Sequence, residues 1–332
     1  MKKLLPFIVP PIRTFNYIGC ELGITSTIEE SIPWYHMNYI QLCCPKKNLN
    51  LEDHKLVFSS LVNPFLSRTY LTKSFVEDIT EDPIQFIIVS LNHGYYVSTY
   101  INEYFLPNRW AYYSESFFHD ILVIGYDDDE KILNVVAYNR EGQFVTEKVS
   151  YDNFRDGFIF CSTKDNASQS TLGLIIPRKE DFHFNILFIL NQMEDFLNGK
   201  NDAQFKYFNI PINEQDAYGK DVYEYILSYI KANTTFWDKR VFRLLLEHKA
   251  ALLERIKFLT KMGYLNNIDD LIINSEKLVK TATIVFNSTL KFNITNAFGT
   301  YEKDKLSVLI KQIEQQEEDI LKNLILKIKQ IV

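Results

Sequence analysis

The sequence contains no G-x-G-x-x-G, no G-x-x-x-x-G-K-S/T and no G-x-S-x-G, so neither nucleotide binding through a glycine-rich loop nor serine-hydrolase chemistry has a motif behind it. No apolar run approaches the roughly 18 residues that a membrane span needs. An excess of positive charge is also missing. The chain has 36 Lys and Arg against 42 Asp and Glu, a formal net charge of −6, which argues against nucleic acid or an anionic membrane as its partner. Cysteine is scarce: Cys20, Cys43, Cys44 and Cys161 show no C-x-x-C spacing and no nearby His pair, so no metal site is expected. His36, His54, His93 and His183 likewise lack ligand spacing. The opening M-K-K-L-L-P-F-I-V-P-P has a basic tip, but Pro6 breaks its apolar run and no small-residue cleavage site follows. It reads as the start of a cytoplasmic protein, in which scattered thiols stay reduced. Each cysteine is then either core filler or a nucleophile.

What the chain does have is apolar bulk. Of its 332 residues 46% are hydrophobic, with 25 Phe and 20 Tyr, enough for two domains around sizeable cores. The first half alternates with period two. From Asp181 the period becomes about 3.6, and helices are expected over 182–197, 215–232, 238–262, 267–290 and 303–331. His248, inside one of these, reads as a helix-surface or interhelix residue. Polar 164–171 reads as a linker, giving an α+β domain over 1–165 and an all-α helical domain over 172–332. Within the first half, Trp34–Cys43 reads as an aromatic strand. Pro83 opens a helix that Gly94 stops, a strand ends at Pro107, and Gln143–Val149 is a further strand. Phe158–Cys161 is a last short apolar piece.

The most informative stretch is F-F-H-D-I-L-V-I-G-Y-D-D-D-E-K-I-L-N-V-V-A-Y-N, residues 117–139. Two β-branched apolar runs flank the acidic connection 127–131, the pattern of a β-hairpin. If Tyr126 pairs with Ile132, Val123 meets Val135, Ile121 meets Ala137 and His119 meets Asn139. Residues opposite one another in an antiparallel pair carry Cβ atoms about 4.5–5.5 Å apart, so an imidazole and an amide would share one face. A slip of one residue would separate them. Such a pair is either a buried polar contact closing a sheet or two-thirds of a Cys-His-Asn centre, with Asn139 orienting the imidazole and His119 deprotonating a thiol.

Cys20 is the candidate nucleophile. It follows Gly19 into a short helical pattern, Leu22, Ile24 and Ile28, where a thiol near the helix N-terminus would be acidified by the dipole and by a neighbouring His. The alternative is a small buried hydrophobe. Cys43 and Cys44 end a strand with no such activation and rank below it.

Three segments carry a wider resemblance. N-H-G-Y-Y-V-S-T-Y-I-N-E-Y-F-L-P (92–107) and H-D-I-L-V-I-G-Y-D (119–127) are joined by P-W-Y-H-M-N-Y-I-Q-L (33–42). With weaker signatures at 218–226 and 238–256, most of the chain resembles the papain-like proteins encoded with nonribosomal peptide and related assembly lines. Butirosin-type acyltransferases and the closthioamide amide synthetase belong to this group. The resemblance implies a papain-like, cysteine-protease fold with an antiparallel sheet. It also implies Cys20 as nucleophile, His119 as base and Asn139 as orienting residue. Many relatives have Asp in that third position, and Asn16 stands where peptidases of this fold carry an oxyanion-binding Gln. The implied reaction is amide formation. An acyl or peptidyl carrier protein bearing phosphopantetheine supplies the acyl group as a thioester, Cys20 receives it, and a small amine takes it. A cysteine peptidase, a thioesterase or a non-catalytic carrier-protein-binding scaffold would share these features. No cofactor is implied, because the step from thioester to amide runs downhill.

Overall fold

The runs flanking the acidic connection form an antiparallel hairpin, Phe118–Asp127 with Ile132–Tyr138. In the computed structural model, which describes residues 1–46, 56–59, 62–162, 170–209, 211–233 and 235–332 (161 and 162 by backbone alone), the turn register differs from the expected one. Asp127 pairs with Ile132 and Tyr126 with Leu133. A bulge between Val123 and Gly125 then absorbs the offset, so Val123 does lie opposite Val135 and Leu122 opposite Val136. The glycine of the H-D-I-L-V-I-G-Y-D motif has a packing reason. A Cβ at Gly125 would come within 2.6 Å of the Lys3 carbonyl oxygen on the neighbouring strand.

In chain order, β1 (Lys2–Leu4) and α1 (Asn16–Thr25) precede α2 (Ile32–Met37), β2 (Gln41–Pro45) and β3 (Val57–Ser59). Then come β4 (Leu66–Thr72), α3 (Lys73–Ile79), α4 (Pro83–Asn92), β5 (Tyr96–Asn102), β6 (Phe118–Asp127), β7 (Ile132–Tyr138), β8 (Phe144–Ser150), α5 (Tyr151–Ser162) and β9 (Thr171–Pro177). The remainder is α6 (Ile186–Leu197), α7 (Asp202–Phe208), β10 (Asp216–Tyr218), α8 (Val222–Ala232), α9 (Lys239–Lys261), α10 (Asp269–Thr295) and α11 (Thr300–Lys329). The chain is therefore α+β, with antiparallel sheets and a helical C-terminal region.

Two compact units form, and neither is one contiguous half: Met1–Ser31 with Asn63–Asp181, and Ile32–Val62 with Phe182–Val332. This differs from the 1–165 and 172–332 division in two ways. Strand β9, beyond the expected linker, lies between β4 and β5 in the first unit's sheet, pairing antiparallel with both. Segment 32–62 joins the helices, because its backbone carbonyls accept bonds from buried side chains there. Arg255 donates to the His36 and Asn38 oxygens at 2.7 and 2.6 Å, and His248 Nε2 lies 2.8 Å from the Ile40 oxygen. The second unit is thus not all-α, since β10, β2 and β3 make a small antiparallel sheet in it.

The Trp34–Cys43 strand is also corrected. Its first part is α2, which buries Trp34 and Met37 one helical turn apart, and the strand begins only at Gln41. Tyr39, with φ of 58°, separates the two. Phe158–Cys161 belongs to helix α5. The strand expected to end at Pro107 stops at Asn102, before a short helical turn over Glu103–Phe105, and the helix expected over 215–232 starts only at Val222, after β10. Helix α4 starts with Pro83 and an Asp82 cap that accepts the Ile84 N–H at 3.0 Å, and Gly94 at φ +86° follows its end.

In the first unit the sheet order is β4-β9-β5-β6-β7-β8, with β1 added to β6. Register and alternation give it two faces. Gly19 of α1 packs against Phe144, which shares a face with Tyr138, Val136, Leu122 and Ser98. Gly157 of α5 packs against Ile101, on the other face. Helix α1 and helix α5 therefore cover opposite sides.

The second unit has its own tight contact. Gly219 sits at φ +55°, and a Cβ there would meet the Phe196 carbonyl oxygen at 2.3 Å. Gly219→Ala is expected to cost about 2–4 kcal/mol through left-handed strain plus the clash. A fall in the urea midpoint of that unit's unfolding, at unchanged slope, is the measurement.

Candidate functional site

Helix α1 carries Cys20, and two side chains attach it to β6. Cys20 Sγ lies 3.8 Å from Asn16 Oδ1, one turn earlier, and Asn16 Nδ2 donates to the Asp120 carbonyl at 2.5 Å. The thiol therefore hangs beside the residue that follows His119. It opens onto a cavity of about 320 Å³ in the first unit, lined also by Asp120, Glu21, Tyr100, Ser98 and Tyr70. Tyr100 pairs with Asp120 in the β5–β6 ladder, and Ser98 is two residues along the same face. Glu21 is paired with Arg68 by a two-pronged bond, at 2.9 and 2.6 Å.

Burial pushes the Cys20 thiol well above its ordinary pKa, and the Asp120 and Glu21 charges push it further. This is the reverse of the acidification expected from a helix start. The reason is geometric. With Phe15 as N-cap and the Gly19 N–H already bonded to the Phe15 oxygen, Cys20 lies in the second turn, beyond the free N–H groups where the dipole acts. The same placement works against an oxyanion site formed by Asn16 and the Cys20 N–H. The Cys20 N–H falls past those free groups, and the Asn16 amide is committed to Asp120 and Cys20.

His119 stands next to Asp120 but leaves β6 on the opposite face, since it pairs with Ile101. Its Nδ1 lies 3.2 Å from Glu103 Oε1, and its Nε2 lies 3.5 Å from Asp120 Oδ1. The ring packs against Phe117, centroids 5.6 Å apart, and Phe117 packs in turn on Trp110. Burial alone would lower the imidazole pKa. The Glu103 bond and the Asp120 and Glu103 charges outweigh it, and the net shift is upward. Asp120 is itself raised, mainly by burial. Among the described residues no hydrogen bond joins Cys20 Sγ to His119, and Asp120 is the group that touches both settings.

Asn139 does not take the place the register suggested. Its Oδ1 accepts the Gln143 N–H at 2.8 Å and its Nδ2 donates to Glu141 Oε2 at 2.8 Å, closing the turn that leads into β8. Glu103 holds the imidazole instead. It comes from the short turn after β5, within the N-E-Y-F-L-P run, and no spacing rule tied it to His119 from sequence. Cys43 and Cys44 lie on β2 of the second unit, each thiol pushed up to about 12 by burial. The Cys161 side chain and His54 lie outside the described residues.

Because Asp120 raises the thiol, Asp120→Asn is expected to lower the Cys20 pKa and to speed its alkylation by iodoacetamide at neutral pH. A rate–pH profile of alkylation followed by intact mass is the check. An unchanged inflection would mean that the carboxylate does not face the sulfur.

No protein-family model matches the chain, and no curated protein sequence matches it.

Proposed function

We propose that the first unit is a papain-like, cysteine-dependent acyltransferase. It takes an acyl group from a carrier-protein thioester onto Cys20 and passes it to an amine, as in nonribosomal peptide-type biosynthesis. The observation that supports this reading most is that Asp120 borders the same cavity as Cys20 and also meets the His119 imidazole. A thiol and a carboxylate line one cavity, and that carboxylate lies 3.5 Å from an imidazole Nε2. The H-D-I-L-V-I-G-Y-D motif and the cysteine-bearing helix laid across an antiparallel sheet support it as well.

In this reading the thiol proton passes by Asp120 to His119 Nε2 as Cys20 attacks the thioester carbonyl. A new C–S bond forms, the carrier's C–S bond breaks, and the departing thiolate takes up that proton. An amine then attacks the acyl-Cys20. The C–N bond forms, the C–S bond to Cys20 breaks, and the proton lost by nitrogen returns to the sulfur. Burial holds the Cys20 thiol protonated at rest, so in this reading the attack depends on Asp120 and His119 taking its proton as substrate arrives.

The test is intact mass spectrometry of the protein with an acyl thioester of N-acetylcysteamine, with and without an added primary amine. The expected result is one acyl group on Cys20, discharged to amide by the amine. Discharge to free acid regardless of amine identifies a thioesterase or peptidase. Absence of any acyl-Cys20 overturns the reading.

A further inference from the structure

Behind His119 lies a charge array that the sequence did not signal. Glu103 and Arg109 are 3% and 2% exposed, nearly complete burial for two ionised groups. Arg109 Nε lies 3.8 Å from Glu103 Oε1, and its Nη1 bonds Glu147 Oε2 at 2.5 Å. Asn108 donates to the same Glu147, and the Asn108 carbonyl accepts the Arg140 N–H at 2.8 Å. Loop 103–109 is thereby fastened to β8 and to the residue after Asn139. The Glu103 backbone N–H bonds the Phe117 oxygen at 2.8 Å, which fixes its distance from the start of β6. Taking a carboxylate and a guanidinium out of water is costly even when they face each other.

We infer that Glu103 is the positioning residue for His119, with the Arg109 charge behind it, in the role that sequence spacing suggested for Asn139. The inference rests on the acyltransferase reading above and deepens it. With Nδ1 directed at Glu103, the imidazole is held in the tautomer that keeps its proton on Nδ1 and turns Nε2 towards Asp120. A carboxylate stabilises the imidazolium that forms when Nε2 takes a proton, which a neutral amide does far less. Arg109 limits how far this goes, since its charge opposes the imidazolium from behind. The groups around the ring are then Glu103 on the turn after β5, Asp120 on β6 and Arg109 on the following loop, with the Phe117 ring packed against it. Asn139, bonded within its own turn, acts on the β7–β8 corner and not on the ring.

The experiment compares the full-length protein with Glu103→Gln, Glu103→Asp and Asn139→Ala. It has two readouts: the rate of Cys20 acetylation by acetyl-N-acetylcysteamine across pH, and the His119 imidazole titration followed by proton NMR. Wild-type His119 is expected to titrate above the ordinary value of about 6.5. In Glu103→Gln that titration and the acid limb of the rate profile should both move to lower pH, while the plateau rate falls at least tenfold. Glu103→Asp should recover part of the rate, and Asn139→Ala should stay within about threefold of wild type. A residue that only braced the loop would lower the plateau without moving the acid limb.

The inference is overturned if Asn139→Ala costs as much as Glu103→Gln. It is also overturned if wild-type His119 titrates at or below 6.5, a measurement that does not depend on any variant folding. If wild-type Cys20 takes no acetyl group, the acyltransferase reading falls by itself. The His119 titration in Glu103→Gln then still decides whether Glu103 governs the imidazole.

Discussion

Cys20→Ala is expected to remove acyl transfer altogether, a loss of at least ~10³-fold in single-turnover acylation, with the fold kept. The magnitude follows from the role. A nucleophile supplies the covalent bond through which both half-reactions run, and binding contacts in the cavity cannot replace it. The fold should tolerate the change because the side chain is small, in the second turn of α1, and its one hydrogen-bond contact among the described residues is the long 3.8 Å approach to Asn16. Losing the sulfur from a buried position should cost about 1 kcal/mol, well inside the margin of a domain this size. Asn16 still ties α1 to the Asp120 carbonyl in the variant, so the cavity wall should persist. Intact mass after incubation with the acyl thioester reads the result directly. Residual acylation at the wild-type rate would mean that another thiol is the acceptor, with Cys43 and Cys44 the first to examine. Both sit in the second unit with thiols pushed up to about 12, so acylation there would also contradict the weak nucleophilicity their burial implies.

How far the sequence led depends on which physical signal each feature leaves. Period and punctuation leave strong ones. The hairpin, the Pro83 helix and the long C-terminal helices were all legible, because each depends on residues within a dozen positions of one another. The bulge at Val123–Gly125 left almost none. A single glycine marks it, and only the β1 strand, over a hundred positions away, explains why glycine is needed. Strand β9 was hidden by the polar residues before it, and Trp34–Cys43 by aromatic alternation that mimicked a strand. The partner of His119 is the sharpest case. Asn139 was reachable by counting along one hairpin, whereas Glu103 meets His119 through a turn after a different strand. Which face His119 occupies was legible from register, but that α1 covers the other face was not. That is why Asp120, and not His119, lines the cavity with Cys20.

The other large effect is expected in the second unit, where one cluster of charges is wholly enclosed. Lys249 Nζ bonds Glu317 Oε1 at 2.5 Å and His248 Nδ1 at 2.8 Å, and Tyr223 donates to Glu317 Oε2 at 2.6 Å. His248 completes the set by directing Nε2 at the Ile40 carbonyl, 2.8 Å away. The ammonium also lies over the Tyr223 ring, 5.3 Å from its centroid. Lys249→Met would leave the Glu317 carboxylate buried without its cation, and breaking such a pair costs about 3–5 kcal/mol. Adding Glu317→Leu removes the stranded charge and should restore most of that loss, whereas independent sites would simply add.

The pH dependence has a definite sign. Burial alone would raise the Glu317 pKa, but Lys249 and His248 together bring it down to about 2. Its contribution is therefore complete above the ordinary glutamate value of about 4.3 and disappears as pH falls towards 2. His248, held below its ordinary value mainly by burial, begins to cost stability as pH drops through about 6.5, because the unfolded chain binds that proton first. Urea midpoints for this unit should thus decline from near neutrality into acid in the wild type. In Lys249→Met/Glu317→Leu the decline below pH 4.5 should be shallower. Parallel profiles for the two proteins would show that the cluster does not set the acid sensitivity of the helical unit.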